Sequence, residues 1–570
     1  MTRAAAALAA IAAALVHPRP AAADPLDLSW GSEGYYRART VYLTNLAPQA
    51  STSILDPGTG EDIFMPTIRR TSYITQRLRL MPTLSYAKLA QLNLQIDAID
   101  DVLWGDNNGV SSAPLFATET SNQNFLGGPV KDSVTIPRAW VQFAVPVGLM
   151  RVGRQPSHWG MGLLANGGGT GNLDTLTPPP PGKPDRPAQD HFFDDDFGDN
   201  HFGSTADRIL FITRPLTIAR TIMKAKNKES KIIVGYAYDK IAEAPLLAAE
   251  GFSGSYRPFG QQGFISRRGG DDVNEHVFLA VYSDPDWDQV RYTDQLRGGI
   301  YTVLRTARRG STFPSDPDLH DPANCNGQVP CNDTGSKVYI ADLWYKVRYG
   351  SWYSEAEMIH IGGKTFGGVP FPSKNQIKKA NINGGAARFG YLTDAYDGIL
   401  ELGYASGDEY LEDGTFKQRA LHPDYNVGLI LFEEILREQT ARAFINFVSE
   451  ENPEGAQGLM SRGGVINARY LQPKVRWRAG RRGLEVIGAV LMAWADKLPI
   501  SGVNSFYLPL AGDAGSYYGT EVDAAFKASF SGKMHFSLET GYLLYGDALK
   551  AKLTRADGSF TVQSRIAFMW

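Results

Sequence analysis

Two pairs of arginines are the residues of this sequence best placed to do chemistry. Arg37 and Arg39 stand in one alternating stretch and Arg77 and Arg79 in another, so each pair projects from one face of an extended strand. A guanidinium is always charged and can hold a carboxylate through two parallel hydrogen bonds. The chemistry that these four residues suggest is the binding of anions.

A second candidate is a run of oxygen ligands for a cation. Five ligands fall within seven residues, namely Asp194, Asp195, Asp196, Asp199 and Asn200. Calcium takes six to eight oxygens and favours acidic loops that contain glycine. The order of the residues is not that of an EF-hand, so a solvated acidic loop is the preferred interpretation and a Ca²⁺ site the alternative. No other cofactor is expected.

The only two cysteines, Cys325 and Cys331, lie in the polar stretch PANCNGQVPCND. In an oxidising compartment this pattern indicates one disulfide that pins a loop. Pairing between two chains is the alternative. With no further cysteine in the chain, a metal site at this place is not expected.

Composition limits the class of protein that must position these residues. The 570 residues carry Lys+Arg 57 against Asp+Glu 60, a net charge of −3, which gives no support for a nucleic-acid partner. Aromatic residues make up 11% and charged residues 21%, so neither disorder nor a helical membrane protein fits. After the N-terminus the longest apolar run, 486–495, is too short for a spanning helix.

The first 23 residues have the pattern of a secretory signal peptide. Arg3 is followed by an apolar stretch over 4–16 and by alanines at 21–23 that suit a cleavage site. We therefore expect residues 24–570 to form the exported, folded chain.

From residue 28 onward the dominant signal is an alternation of apolar and polar residues over stretches of about ten residues, which indicates strands. The predicted strands are 28–44, 70–86, 89–103, 135–146, 149–164, 206–214, 231–241, 274–284, 295–308, 337–349, 351–364, 378–392, 396–406, 462–479, 483–496, 517–531, 534–546 and 558–570. The fold class is therefore all-β.

The links between these strands alternate between short and long. Tight links include 87–88, 146–148, 350, 480–482 and 531–533, whereas the long links include 104–134, 165–205, 242–273, 309–336 and 407–461. Short turns at one end and long loops at the other are typical of outer-membrane barrels, with periplasmic turns and extracellular loops. The sequence predicts a transmembrane antiparallel β-barrel of about 18 strands in the outer membrane of a Gram-negative bacterium.

Alternation also predicts which cations face the lumen. An unpaired arginine that faces lipid near the middle of the bilayer costs about 2–4 kcal/mol, and the neighbours Tyr36 and Ala38 suit lipid. The cations predicted to face inward are Arg37, Arg39, Arg77, Arg79, Arg138, Lys346, Arg348, Lys474, Arg476 and Arg478. Two roles for these cations stay open and are compatible: they line an anion pathway, or they form a structural ladder, that is, a row of ion pairs along the wall. The possible partners in a ladder are Asp97, Asp342, Glu355, Glu357, Glu485, Glu521, Asp523 and Glu539.

One segment departs from the strand pattern. Residues 427–444 have helical spacing inside the longest predicted loop. A short helix that caps the barrel mouth is the simpler interpretation, and a plug or gate is the alternative.

The sequence contains none of the common catalytic motifs that would indicate an enzyme. The GYASG stretch at 403–407 is not G-x-S-x-G, no H-E-x-x-H or Walker loop occurs, and the histidines are scattered. We expect no enzyme, although a hydrolase with a catalytic histidine and serine on the barrel wall is a minor alternative.

Several blocks resemble the alginate-export-like family of outer-membrane porins. They are LRLMPTLSYAKLAQLNLQIDAIDDVLWG, RVGRQPSHWGMGLLANGG, ELGYASGD with HPDYNVGLILFEE, and YYGTEVDAAF. The resemblance implies an 18-stranded barrel with an arginine-rich lumen that conducts an anionic polysaccharide. This chain departs from the family in its insert at 177–199 and in its cysteine loop.

The expected function is a porin that moves anionic solutes, either small molecules or an exopolysaccharide, through an arginine-lined lumen. A general passive porin and a loop-closed structural or adhesion barrel are the alternatives. The expected partners are outer-membrane lipid and the barrel-assembly machinery. That machinery reads an alternating last strand, here the one that contains Phe568 and Trp570.

Overall fold

The fold is seen in a computed structural model, in which strands dominate. It describes residues 28–47, 54–55, 62–63, 68–87, 89–104, 134–168, 197–200, 203–225, 229–242, 273–284, 295–307, 336–365, 378–393, 395–409, 414–440, 461–479, 484–498, 515–530, 533–550 and 557–570. The predicted signal peptide, the cysteine pair Cys325 and Cys331, and Asp194 to Asp196 lie outside these residues.

Eighteen long strands form the described wall. They are β1 Leu28–Ala47, β2 Ile68–Tyr86, β3 Ala90–Leu103, β4 Val134–Val145, β5 Gly148–Pro156, β6 Thr205–Thr213, β7 Ile232–Ala242, β8 Val273–Asp284, β9 Gln295–Ala307, β10 Ser336–Tyr349, β11 Trp352–Thr365, β12 Lys378–Leu392, β13 Tyr396–Ala405, β14 Ala468–Arg478, β15 Leu484–Ala495, β16 Tyr517–Phe530, β17 Met534–Tyr545 and β18 Gly558–Met569.

The strands close into a barrel. Each strand pairs antiparallel with the next along the chain, and β18 pairs with β1, with Tyr35 opposite Met569 and Leu43 opposite Thr561. A two-residue strand, Thr415–Phe416, pairs in parallel with the part of β12 that extends beyond β13. Closure lets the backbone groups of the wall bond within the sheet, which a bilayer requires. The predicted all-β barrel is confirmed.

Helical structure is sparse in the described chain. It comprises α1 Pro215–Ile222, a π-helix at Leu431–Leu436 that continues as α-helix over 437–440, and α2 Asp547–Lys550. None of these helices is long and apolar enough to span a membrane.

The strand order distinguishes the two ends of the barrel. The strand ends that short links join all lie at one end, together with the start of β1 and the end of β18; these links are 87–89, 146–147, 350–351, 393–395, 479–483 and 531–533. Short turns face the periplasm in outer-membrane barrels, so this is the periplasmic end. Phe568 and Trp570 lie there and are exposed on the outer face.

The outer and inner faces of the wall differ in polarity. Large apolar side chains are exposed on the outer face, among them Leu343, Met358, Phe389 and Val475. The inner face carries buried arginines and carboxylates, as the alternation predicts.

Part of the chain predicted to be extracellular lies inside the barrel. The strand predicted at 149–164 ends at Pro156, and residues 157–168 turn inward through Gly160 and Gly162, whose φ values of +57° and +83° favour glycine. Residues 197–200, 203–204, 406–409 and 414–440 also contact the inner wall. The main apolar cluster, which includes Trp159, Phe197 and Ile430, packs between these segments and the wall. Described residues of 165–205 and 407–461, which were predicted to be extracellular loops, therefore lie against the inner wall, and the bounds of the loops stay a prediction.

Candidate functional site

The barrel interior is the candidate site, and its most charged part is centred on Arg37. Arg37 lies directly opposite Arg77 on the neighbouring strand, and each is only 1% exposed. Like charges in such a position repel each other. The carboxylate of Asp199 offsets this repulsion because it pairs with Arg37 and lies 3.3 Å from the Nη1 of Arg565.

Asp199 was expected in a solvated extracellular loop, and that prediction is wrong. It is 3% exposed and lies against the wall, because the segment that carries it enters the lumen. The backbone oxygen of Asn200 accepts a hydrogen bond of 3.2 Å from Arg77. No cluster of three or more His, Cys, Asp or Glu suited to a metal occurs among the described residues. The Ca²⁺ site stays a prediction, although Asp199 and Asn200 are engaged by arginines instead.

Arg79 and Arg138 take part in a hydrogen-bonded ladder across β2, β3 and β4. Arg79 donates to both oxygens of Asp97, at 2.6 and 2.8 Å, and Gln95 donates to the same carboxylate at 3.0 Å. Arg138 donates to Gln95 at 3.1 Å and to the carbonyl of Gly167 at 3.0 Å. The pairing with Asp97 that the sequence left open is therefore present. Arg138 also ties the wall to an inward segment.

The other predicted inward cations lie on the inner face as well, and several have partners. Lys346 is 3.9 Å from Glu355, Arg478 is 2.6 Å from Asp397, and Arg39 donates to Gln563 at 2.5 Å. Lys474 is buried, and Arg348 and Arg476 share the inner parity of their strands. The sequence analysis missed the inner pairs Arg208–Asp239, Arg305–Glu275, Arg388–Glu401 and Arg565–Glu539. The same alternation would have found them.

Carboxylates on the far side of the barrel hold the segment 157–168. The indole nitrogen of Trp159 donates to Asp342 at 3.1 Å, and the backbone N–H of Met161 donates to Glu357. The Trp159 ring lies 5.3 Å from the Tyr301 ring, centre to centre. Polar and aromatic contacts together anchor this segment to the wall.

Glu521 anchors the helical segment. Its carboxylate accepts backbone N–H bonds from Leu429, Ile430 and Leu431, at 2.5, 2.7 and 2.7 Å. These donors stand at the start of the π-helix, where a negative charge is favourable. The helix predicted at 427–444 is present from 431 to 440 within the described residues and lies inside the barrel. This position fits the plug interpretation better than a cap at the mouth.

A serine and a histidine meet between two inward segments. Ser204 Oγ lies 2.9 Å from His422 Nε2, and His422 Nδ1 accepts the backbone N–H of Asp424 at 3.0 Å. Because Nδ1 is an acceptor, the neutral ring carries its proton on Nε2 and donates it to Ser204. A general base needs its lone pair directed at the hydroxyl. This geometry fits a structural joint rather than the hydrolase alternative.

Acidification is expected to loosen this joint. Burial is the main cause that lowers the pKa of His422 to about 4. The negative charge of Asp424 partly compensates, whereas the positive charges of Arg419 and His158 lower the pKa further. Below pH 6.5 the histidine binds a proton in the unfolded chain but stays neutral in the folded protein. The free energy of unfolding therefore falls as the pH drops from 6.5 to about 4, and the contribution of the neutral ring is complete above pH 6.5. The loss is at most about 3 kcal/mol.

The measurement is the free energy of unfolding in urea at pH 7 and pH 4.5 for the wild type and for His422→Gln. The wild type should lose more stability than the variant. Burial raises the pKa values of Glu433 and Glu434, so their protonation acts in the opposite direction, and the comparison cancels it. Equal losses in the two proteins would rule out His422 as the cause.

The closed wall, its apolar outer face and its charged interior define an outer-membrane β-barrel. No family model matches the sequence, and no curated protein matches it either. The resemblance to the alginate-export-like porins therefore stays a prediction.

Solved structures of porins match at low similarity. OccAB1 from Acinetobacter baumannii has 12% identity over 94% of this chain and 96% of its own, with a TM-score of 0.44. A BenF-like porin from Pseudomonas fluorescens Pf-5 has 9% identity over 94% and 98%, with a TM-score of 0.41. The outer membrane protein opdK from Pseudomonas aeruginosa has 9% identity over 95% and 98%, with a TM-score of 0.41. At these values the likeness supports no inference about the solute.

Proposed function

We propose that this protein is a porin-type channel that prefers anions. The observation that carries the proposal is an arc of inward arginines on β18, β1, β2 and β4, interrupted only at β3, which carries Asp97. The arc consists of Arg37, Arg39, Arg77, Arg79, Arg138 and Arg565. Rings or walls of arginine favour anions in pores because the local charge acts in a space of low dielectric constant. The net charge of the chain is a poorer guide, since distant exposed charges are screened.

Asp97, Asp199 and Glu539 pair with arginines of the arc, and further carboxylates lie on other arcs of the wall. Asp342, Glu355 and Glu357 are buried on β10 and β11, on the far side of the barrel from β1 and β2. This asymmetry directs an anion in the lumen toward the arginine arc. A solute with a carboxylate suits that arc best, because guanidinium groups bind carboxylates bidentately.

The inward segments limit which arginines a solute reaches. Arg37 and Arg77 are covered by the 197–200 segment, whereas Arg39 is only partly buried. We infer that a small anion passes beside Arg39 while the segments stay in place, and that a polymer requires their displacement. Export of an anionic exopolysaccharide therefore depends on movement of the plug.

Reversal potentials across a salt gradient in planar bilayers test the proposal. We expect anion preference in the wild type, and a shift toward zero in the fourfold variant Arg37→Ala, Arg39→Ala, Arg77→Ala and Arg79→Ala. Arg154→Ala is the control, because Arg154 projects from the outer face and pairs with Asp207.

Cation preference, or an unchanged reversal potential in the fourfold variant, would contradict the anion proposal. A barrel that inserts but carries no current would favour the structural or adhesion alternative. Conductance without preference between anions and cations would favour the general passive porin.

A further inference from the structure

Three lysines form a continuous row on the outer face of the barrel. Lys337 on β10 lies directly opposite Lys364 on β11, which lies directly opposite Lys379 on β12. All three are exposed, and their strand positions alternate with inward residues such as Ile340 and Ile382. Strands are about 4.8 Å apart, so the three ammonium groups share a width of about 10 Å. We call these residues the lysine row.

Nothing in the described part of the chain neutralises the lysine row. No ion pair with a carboxylate of the described residues involves Lys337, Lys364 or Lys379. Like charges directly opposite each other on paired strands are destabilising. A row of three repelling lysines therefore calls for an anion that the described chain does not itself supply.

The lysine row lies at the extracellular boundary of the membrane. It stands at the ends of β10, β11 and β12 opposite the short links 350–351 and 393–395. Two residues further into the membrane, about 7 Å along the strand, Tyr339 lies opposite Gly362. Further in, Leu343 lies opposite Met358, and both are exposed to lipid. The order from the membrane outward is thus apolar, aromatic and cationic, which matches the order of acyl chains, interface and charged headgroups.

Two other outward cations at this level have polar partners on neighbouring strands. Arg154 lies opposite Asp207 and donates to both of its oxygens, at 2.8 and 2.7 Å. Lys240, opposite Asp207 on the next strand, has its Nζ 3.3 Å from the amide oxygen of Asn274. On β10 to β12 three such cations stand side by side, whereas the exposed Arg70 at the start of β2 lies opposite Thr44 and not opposite another cation.

We propose that the lysine row binds the phosphate groups of a phosphorylated glycolipid in the outer leaflet. The acyl chains of that lipid lie against the apolar face below the row, and its phosphates lie between the ammonium groups. A lipid meets both observations, because it places negative charge at the level of the row and hydrocarbon at the level of Leu343 and Met358. The proposal concerns the outer face and is independent of what the lumen conducts.

Native mass spectrometry of the full-length barrel, titrated with diphosphorylated lipid A in a neutral detergent, tests the proposal. The triple variant Lys337→Gln, Lys364→Gln and Lys379→Gln should bind on the order of 100-fold more weakly, with about fivefold for each lysine. Lys240→Gln is the matched control, an outward lysine at the same level, and should keep the wild-type affinity. Dephosphorylated lipid A should bind the wild type as weakly as lipid A binds the triple variant.

Three results would overturn the proposal: wild-type affinity in the triple variant, an equal loss in the Lys240 control, or equal binding of dephosphorylated lipid A. Competition by millimolar inorganic phosphate without any binding of lipid A would assign the row to a soluble anion and overturn it as well. A heat-modifiable band on gels verifies that each variant is folded. If the triple variant does not fold, the three single variants replace it, and each must show its fivefold loss.

Discussion

Asp199→Asn is expected to free the 197–200 segment from the wall and to increase both the conductance and the anion selectivity of the barrel. The substitution leaves Arg37 and Arg565 without the carboxylate that both now contact. Removal of one partner from a buried ion pair costs about 3–5 kcal/mol. Here we expect about 3 kcal/mol, because water in the lumen can hydrate the arginines once the segment moves. A cost of that size shifts the equilibrium between the attached and the detached segment by about 100-fold. Arginines now covered would then face the solute.

Two measurements check this expectation. Single-channel conductance in planar bilayers should rise, and hydrogen exchange at Gly198 should accelerate, because its N–H now donates to Glu539 at 2.9 Å within the attached segment. Asp207→Asn serves as the control. It breaks an exposed outer ion pair of the same chemistry, which costs about 1 kcal/mol or less. Wild-type conductance together with wild-type exchange in the Asp199 variant would show that the carboxylate does not hold the segment.

Glu521→Ala is expected to release the helical plug. Three backbone N–H groups at the start of the π-helix lose their shared acceptor, and each unsatisfied buried donor costs about 1–3 kcal/mol. The helix relieves that cost by leaving the wall, so the lumen widens. Glu521→Gln retains one acceptor oxygen and should have a smaller effect than the alanine variant.

Conductance and the exchange of the amides at 429–431 report the release. Asp239→Asn is the control, since Asp239 is a buried, inward carboxylate of the wall that pairs with Arg208, and no backbone N–H of the plug donates to it. The ranking should be alanine above glutamine, and glutamine above the control. An alanine variant with the conductance and exchange of the control would contradict the anchoring role of Glu521.

The sequence allowed us to predict on which face of the wall a residue of the candidate site lies, but for most of these residues it did not predict the partner. The inward orientation of Arg37 and Arg77 follows from the alternation in their own strands, and burial of both side chains confirms it. Their partners were predictable only where they lie on adjacent strands, as Asp97 does for Arg79. Asp199 was placed wrongly, because a segment between strands has no alternation from which its position can be inferred.

The sequence by itself determined the strands, the closed barrel class and the face on which each wall residue lies. The reason is that successive side chains of a strand point to opposite faces, so the alternation can be read from neighbouring residues alone. In a barrel, one face contacts lipid and the other faces the lumen. Only the tertiary structure decided what fills the lumen. The contacts that hold the filling join residues far apart in the chain, 162 positions from Arg37 to Asp199 and 366 from Asp199 to Arg565. No local pattern encodes such pairings, which arise when the closed wall brings distant carboxylates and arginines to the same height.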